Sequence, residues 1–158
     1  MQIGKDITNK VLHISQTYDT SIENLWDAFT NSEILSEWWA PKPYRLVTKS
    51  LNFTENGEWI YYMLSPEGEK HWCKTNYFNI EHHKSFELVD FFCDEDGNLN
   101  AELPSTKWKN DFKANHSSST ISHTITFKTE EDFKKILEMG FEQGYELCLK
   151  QLEEYISR

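Results

Sequence analysis

The chain has 158 residues and a formal net charge of −10, with 26 acidic residues against 16 Lys and Arg. Without clustered basic residues that balance excludes a phosphate-rich partner such as nucleic acid, and it argues against an anionic membrane surface. Aromatics reach 15% (six Trp, seven Tyr, ten Phe), so a core built largely from rings is expected inside a single domain spanning 1–158.

The longest apolar run, Trp59 to Leu64, is far too short to cross a bilayer, and MQIGKDITNK lacks the apolar segment of a signal peptide. Cys73, Cys93 and Cys148 are an odd set with no CxxC spacing, which fits free thiols in a reducing compartment. A cytoplasmic location is therefore expected. Residues 1–9 are polar and read as frayed.

Val11 to Tyr18 mixes Val, Ile, Thr and Tyr in a strand-like pattern. In the next stretch Ser21 with Asn24, or Thr20 with Glu23 at capping-box spacing, can start a helix with Ile22, Leu25, Trp26 and Phe29 on one face. Asn31-Ser32 interrupts it. A second short helix, Glu33 to Trp39, is stopped by Pro41 and Pro43. From Arg45 to Phe127 the texture is strands and tight turns. Trp59, Tyr61 and Met63 alternate with Ile60, Tyr62 and Leu64, so both faces of that strand should be covered. His71 to Ile80, Phe86 to Cys93, Thr106 to Phe112 and Ile121 to Phe127 read as further strands, with Asp94 to Ser105 a polar loop.

Glu130 to Ile156 contains no proline and reads as one long helix of roughly 40 Å. Phe133, Leu137, Phe141, Tyr145, Cys148 and Leu152 draw one apolar stripe along it, and Thr129 caps its start. The expected fold is α+β: a curved antiparallel sheet of about six strands wrapped round this helix. Gly140 and Gly144, four residues apart on one face, mark either a close backbone approach or space left for a ligand.

The stretch Tyr18 to Pro41, with Tyr18, Leu25-Trp26 and Trp38-Trp39-Ala40-Pro41, resembles the opening signature of the heat shock protein 90 ATPase activator homologue family. That family belongs to the SRPBCC or START-like, helix-grip superfamily. Gly57-x-Trp59-x-Tyr61-x-Met63, Pro66-Glu67-Gly68, Tyr77-x-x-Ile80, and Gly140-Phe141 with Gly144 and Leu152 are similar to its later motifs, so the resemblance runs from Val11 to Ile156. Where the family often has Gly-Gly before the strand tryptophan, this chain has Asn56-Gly57. Phe92 to Pro104 followed by Trp108 looks like one bacterial subgroup. The resemblance implies a helix-grip domain enclosing a cavity and transfers no catalytic residues, because members range from co-chaperone domains to binding proteins and cyclase-like enzymes.

Asp90 shares parity with Phe86, Leu88 and Phe92, and a carboxyl facing a dry cavity could act as an acid or base. His123 lies on the apolar face of its strand, and an Asp90–His123 pair is the best enzymatic arrangement on offer; a structural role for each is the commoner outcome. His71 with Cys73 and the adjacent His82-His83 do not give three convergent zinc ligands. Asp94, Asp96, Asn98 and Asn100 lack the glycine position and closing Glu of a calcium loop. No nucleophile elbow or phosphate loop occurs, and no cofactor or metal is expected.

The aromatic set remains. Trp26, Trp38, Trp39, Trp59, Tyr61, Met63, Trp72, Trp108, Phe141 and Tyr145 are candidate walls of a hydrophobic small-molecule pocket, for which a few hundred Å³ is usual (about 300–1,000). Binding of a hydrophobic ligand is thus the leading expectation. The alternatives are a cyclase- or hydrolase-type enzyme in the same cavity, and a co-chaperone-like module docking a protein, a role the chain's lack of the co-chaperone's extra N-terminal domain makes less expected. A monomer or homodimer fits all three.

Overall fold

The computed structural model describes residues 1–158 and contains β1 (Gln2–Asp6), β2 (Val11–Tyr18), α1 (Ile22–Thr30), α2 (Ser32–Trp38), β3 (Arg45–Leu51), β4 (Glu58–Leu64), β5 (Lys70–Glu81), β6 (Ser85–Phe92), β7 (Thr106–Ala114), β8 (Ser119–Phe127), α3 (Glu130–Glu138) and α4 (Phe141–Ile156). The strands form one antiparallel sheet in the order β1-β2-β8-β7-β6-β5-β4-β3. Sequential hairpins build the run from β3 to β8. The α1–α2 crossover lets β2 pair with β8 at the far side. The architecture is the expected α+β helix grip, with eight strands in place of about six.

Strict alternation decides which face is inside. Along β8, Ser119, Ile121, His123, Ile125 and Phe127 are buried while the residues between them are not. On β4, Trp59 and Tyr61 point inward, and Ile60 on the opposite face is buried too, because the loop after β6 folds back over it. A Cβ on Gly97 would lie 3.4 Å from Ile60, and Lys49 Nζ donates to the Glu95 carbonyl at 2.8 Å. Asp94, in that loop, accepts from the Asp96 and Asn98 amides as an ordinary side-chain-closed turn. The turn before β4 holds Asn56 at φ 64, so Asn does adopt the left-handed geometry required there. Gly57 beside it tolerates no side chain, since a Cβ would meet the Asn52 carbonyl at 2.1 Å.

Two expectations are corrected. Residues 1–9 are not simply frayed: Gln2–Asp6 pairs with β2 from Gln2↔Ser15 to Asp6↔Val11. Its side chains are mostly exposed, so backbone hydrogen bonds define it and the sequence carries no apolar alternation to reveal it. The final helix is also two helices. The helix α3 ends at Glu138 with Met139 as its C-cap, Gly140 takes φ 84, and α4 begins at Phe141. Gly140 N–H donates to the Leu137 carbonyl, a C-terminal glycine closure that only a residue free to enter the left-handed region makes cheaply. The apolar stripe survives the break, with Phe133, Tyr145, Cys148 and Leu152 all buried.

The caps fall where their chemistry puts them. Ser21 Oγ accepts from Asn24 N at the start of α1, Asn31 Oδ1 caps α2, and Thr129 Oγ1 accepts from Asp132 N at α3. The segment after α2 is tied to α4. Gln151 Nε2 donates to the carbonyls of Trp38 (3.0 Å) and Ala40 (2.8 Å), and its Oε1 accepts from Lys42 N at 2.9 Å. Gly144 faces Pro41 at an ordinary 3.9 Å. Neither glycine is therefore pressed against backbone.

Candidate functional site

The inner face of the sheet carries two polar rows in an otherwise ring-filled interior. Register places Trp59, Thr75, Asp90, Thr106 and Phe127 side by side across five strands. A second row sets Phe86, Asn110, His123 and Ile14 together. Between them runs Leu88–Trp108–Ile125. Asp90 and His123 thus stand on separate rows with that apolar row between, and neither hydrogen-bonds the other.

Each has its own partners. Thr75 Oγ1 donates to Asp90 Oδ1 at 3.0 Å. Burial pushes the Asp90 carboxyl up to about 7, against the opposing pull of the Thr75 hydroxyl and the Phe91 backbone amide. By surface area Asp90 is only half-buried, because its side chain borders internal free space; the carboxyl is nonetheless surrounded by protein, and the raised value follows from that enclosure. His123 Nδ1 lies 2.6 Å from Asn110 Oδ1, and its Nε2 lies 2.6 Å from the Tyr145 hydroxyl. With the Asn110 oxygen as acceptor, the pattern assigns the ring proton to Nδ1 and makes Tyr145 the donor to Nε2. Burial lowers His123 to about 3, so it is a neutral ring that pins α4 to the sheet.

Free space inside the grip is small. A cavity of about 80 Å³ lies between the sheet and the α3–α4 pair, bordered by Cys73, Asp90, Pro104, Trp108, Ile136 and Phe141 among others. A second, of about 20 Å³, is bordered by Trp39, Trp59, Asp90, Trp108 and His123 among others. Asp90 and Trp108 border both. The volume falls well short of a pocket of a few hundred Å³, because rings occupy the hollow. Trp39 meets Trp59, Trp108 and Tyr145, and Trp59 stacks on Tyr61 with centroids 4.0 Å apart.

The candidate wall residues divide by place. Trp39, Trp59, Trp108 and Phe141 border the cavities. Tyr61 lies behind them, accepting from Trp39 Nε1 at 3.2 Å, and Tyr145 is bound to His123. Met63 is half-buried at the edge of the core. Trp38 is fully buried and donates to the Ala28 carbonyl, a packing role. Trp26 sits at the opposite end, ringed by Phe53, His82, His83, Phe86 and Phe112. Trp72 is on the outer face against Tyr62, so it lines no part of the interior.

Thr75, Asn110 and Thr106 were not singled out from the sequence, although Thr75 and Asn110 interrupt the buried series Cys73–Tyr77 and Trp108–Phe112 at inward parity. That interruption is the signal that finds them. Pro104 and Ile136 carry no such mark, since nothing local tells that the loop and α3 meet. Burial pushes the Cys73 and Cys148 thiols and the Tyr61 and Tyr145 phenols up, so all stay neutral. No three His, Cys, Asp or Glu side chains converge as metal ligands, and no helix is long and apolar enough to cross a membrane.

A curved antiparallel sheet closed on C-terminal helices, with two short helices between its second and third strands, defines a SRPBCC or START-like helix-grip domain. The chain belongs to the family described as "Activator of Hsp90 ATPase homolog 1-like protein", whose sequence profile matches residues 19–157. The resemblance read from Tyr18 to Pro41 and the later motifs is thereby borne out. A protein from Arthrobacter aurescens has the same fold with a TM-score of 0.93, at 26% identity over 99% of this chain and 91% of that one. A protein from Mycobacterium smegmatis follows at 0.89, with 21% identity over 98% of this chain and 95% of that one. The AHSA1 protein from Silicibacter pomeroyi shares the fold at 0.72, with 17% identity over 93% and 97% respectively. No curated protein sequence matches.

Proposed function

We propose that this domain binds a compact hydrophobic molecule in the cavity between the sheet and the α3–α4 pair. The observation that carries the reading is the composition of the wall: eight of its eleven residues are hydrophobic, and the one carboxyl is Asp90. A few convergent polar groups in an apolar hollow are the usual make-up of a ligand site. At about 80 Å³ the space suits a ligand of a handful of non-hydrogen atoms.

A larger ligand requires the outer wall to move. That wall is Pro104 from the β6–β7 loop together with Ile136 of α3. Lys135 Nζ donates to the Glu102 carbonyl at 3.2 Å across the same seam, an exposed contact of little strength. Gly140, with nothing within 4 Å of where its Cβ would be, joins α3 to α4 at the other end.

Native mass spectrometry of protein purified from its own host is the test. A bound species is expected, and Ile136→Trp, which fills the cavity, is expected to remove it. Absence of any adduct, together with no xenon uptake in the cavity under pressure, sinks the reading.

A further inference from the structure

The ligand's chemistry follows from what the cavity offers, on the assumption that the reading above holds. Asp90 Oδ1 accepts a hydrogen bond from Thr75, the Phe91 backbone amide also acts on the carboxyl, and no other side-chain hydrogen bond reaches it. The Trp108 indole N–H beside it is already used, donating to Thr106 Oγ1 at 2.9 Å. The wall therefore offers the Thr106 hydroxyl as a donor and, as its one ionisable acceptor, the Asp90 carboxyl, in a lining that also holds Trp108, Phe127 and Phe141.

No Lys or Arg borders either cavity. Lys74, next to Thr75 in sequence, faces the other side of the sheet, where it pairs with Glu58 at 3.1 Å. The ionisable groups close to Asp90 are Cys73 and Tyr77 on β5, Tyr61 on β4 and Cys93 after β6, each of which its charge disfavours ionising. A carboxyl with no cation beside it, in a wall of aromatic side chains, is a site that an ammonium group completes.

We infer that the cavity takes a small alkyl amine, with the ammonium on Asp90 and the alkyl body among Trp108, Phe127 and Phe141. An anionic ligand of the same shape is rejected by the same carboxyl, and a neutral alcohol gains only an uncharged hydrogen bond. Binding of the protonated amine requires Asp90 ionised, so it releases the proton the free site holds. Below about pH 7 that release weakens binding progressively, with the burial-raised carboxyl setting the window.

The experiment uses isobutylamine, isobutanol and isobutyrate as matched probes, read by amide chemical-shift titration and by calorimetry in two buffers of different ionisation enthalpy. Isobutylamine is expected to bind roughly tenfold or more tightly than isobutanol at about pH 7.5. About half a proton should be released near pH 7. Isobutyrate is expected not to bind. In Asp90→Asn the preference for the amine should vanish while isobutanol still enters. Equal affinity for amine and alcohol, or no proton release, overturns the inference and leaves the hydrophobic-ligand reading standing. Exclusion of all three probes and of xenon overturns both.

Discussion

Asp90 and His123 occupy neighbouring polar rows on one sheet, and burial has treated them in opposite ways. His123 is closed off: both ring nitrogens are bonded, to Asn110 and Tyr145, and the ring is neutral. Asp90 has one side-chain partner and borders two cavities. The His123 row is a fastening between sheet and helix. The Asp90 row holds a group whose hydrogen-bonding capacity exceeds what the protein's side chains supply. A buried polar group is thus a clue to function only when its accounts with its neighbours are left open.

The difference can be broken most forcefully at the residue that separates the rows. Trp108→Ala joins the two cavities and removes a buried indole, so a loss of about 4–5 kcal/mol in urea unfolding is expected. The pH dependence then sharpens it, because the rows act with opposite sign. His123 falls from 6.5 in the unfolded chain to about 3 in the folded one, so its stabilisation is complete above pH 6.5 and is lost as pH falls toward 3. That acid limb should span about 3–5 kcal/mol and flatten in His123→Gln.

Asp90 rises from 3.8 to about 7, so its contribution is complete below 3.8 and declines as pH rises through 7. Asp90→Asn is therefore expected to gain about 2–4 kcal/mol over the parent at about pH 8, discounted for the carboxyl's contact with the cavity, and little near pH 4. Urea midpoints at the two pH values check this; equal gains at both contradict a buried acid. The smallest effect lies outside the rows. Gly140→Ala meets no neighbour, so only the left-handed φ of 84 opposes it, and a loss of about 1–2 kcal/mol is expected.

Much of the fold was legible because its determinants are local and repetitive. Alternation along Ile121–Phe127 marked the inner face, and the capping residues Ser21 and Thr129 marked helix starts. β1 was hidden because an edge strand needs only backbone partners. The break at Gly140 was hidden because the apolar stripe runs unbroken through it, although a glycine after Lys134-Lys135 and Met139 is a recognised stop.

The candidate site was legible in part, through Asp90, His123 and four aromatics (Trp39, Trp59, Trp108 and Phe141), and illegible as an arrangement. Asp90 and His123 were both placed on the inward face from parity alone. That they stand on separate rows depends on the register of β6, β7 and β8, which is set by hairpin geometry and not by either residue. Trp72 misled because inward and outward tryptophans look alike until register is known.

The side-chain amide of Gln151 supplies three hydrogen bonds to residues 38–42, at separations of 109 to 113 along the chain. Such a fastening carries the closure cost of a loop of more than a hundred residues, so it is expected to form after the local hairpins. The helix carrying Gln151 is 16 residues long and draws most of its stability from packing, so its berth includes the turn after α2. Docking of α4 is thereby expected late in folding, on a Trp38–Lys42 turn that is already set.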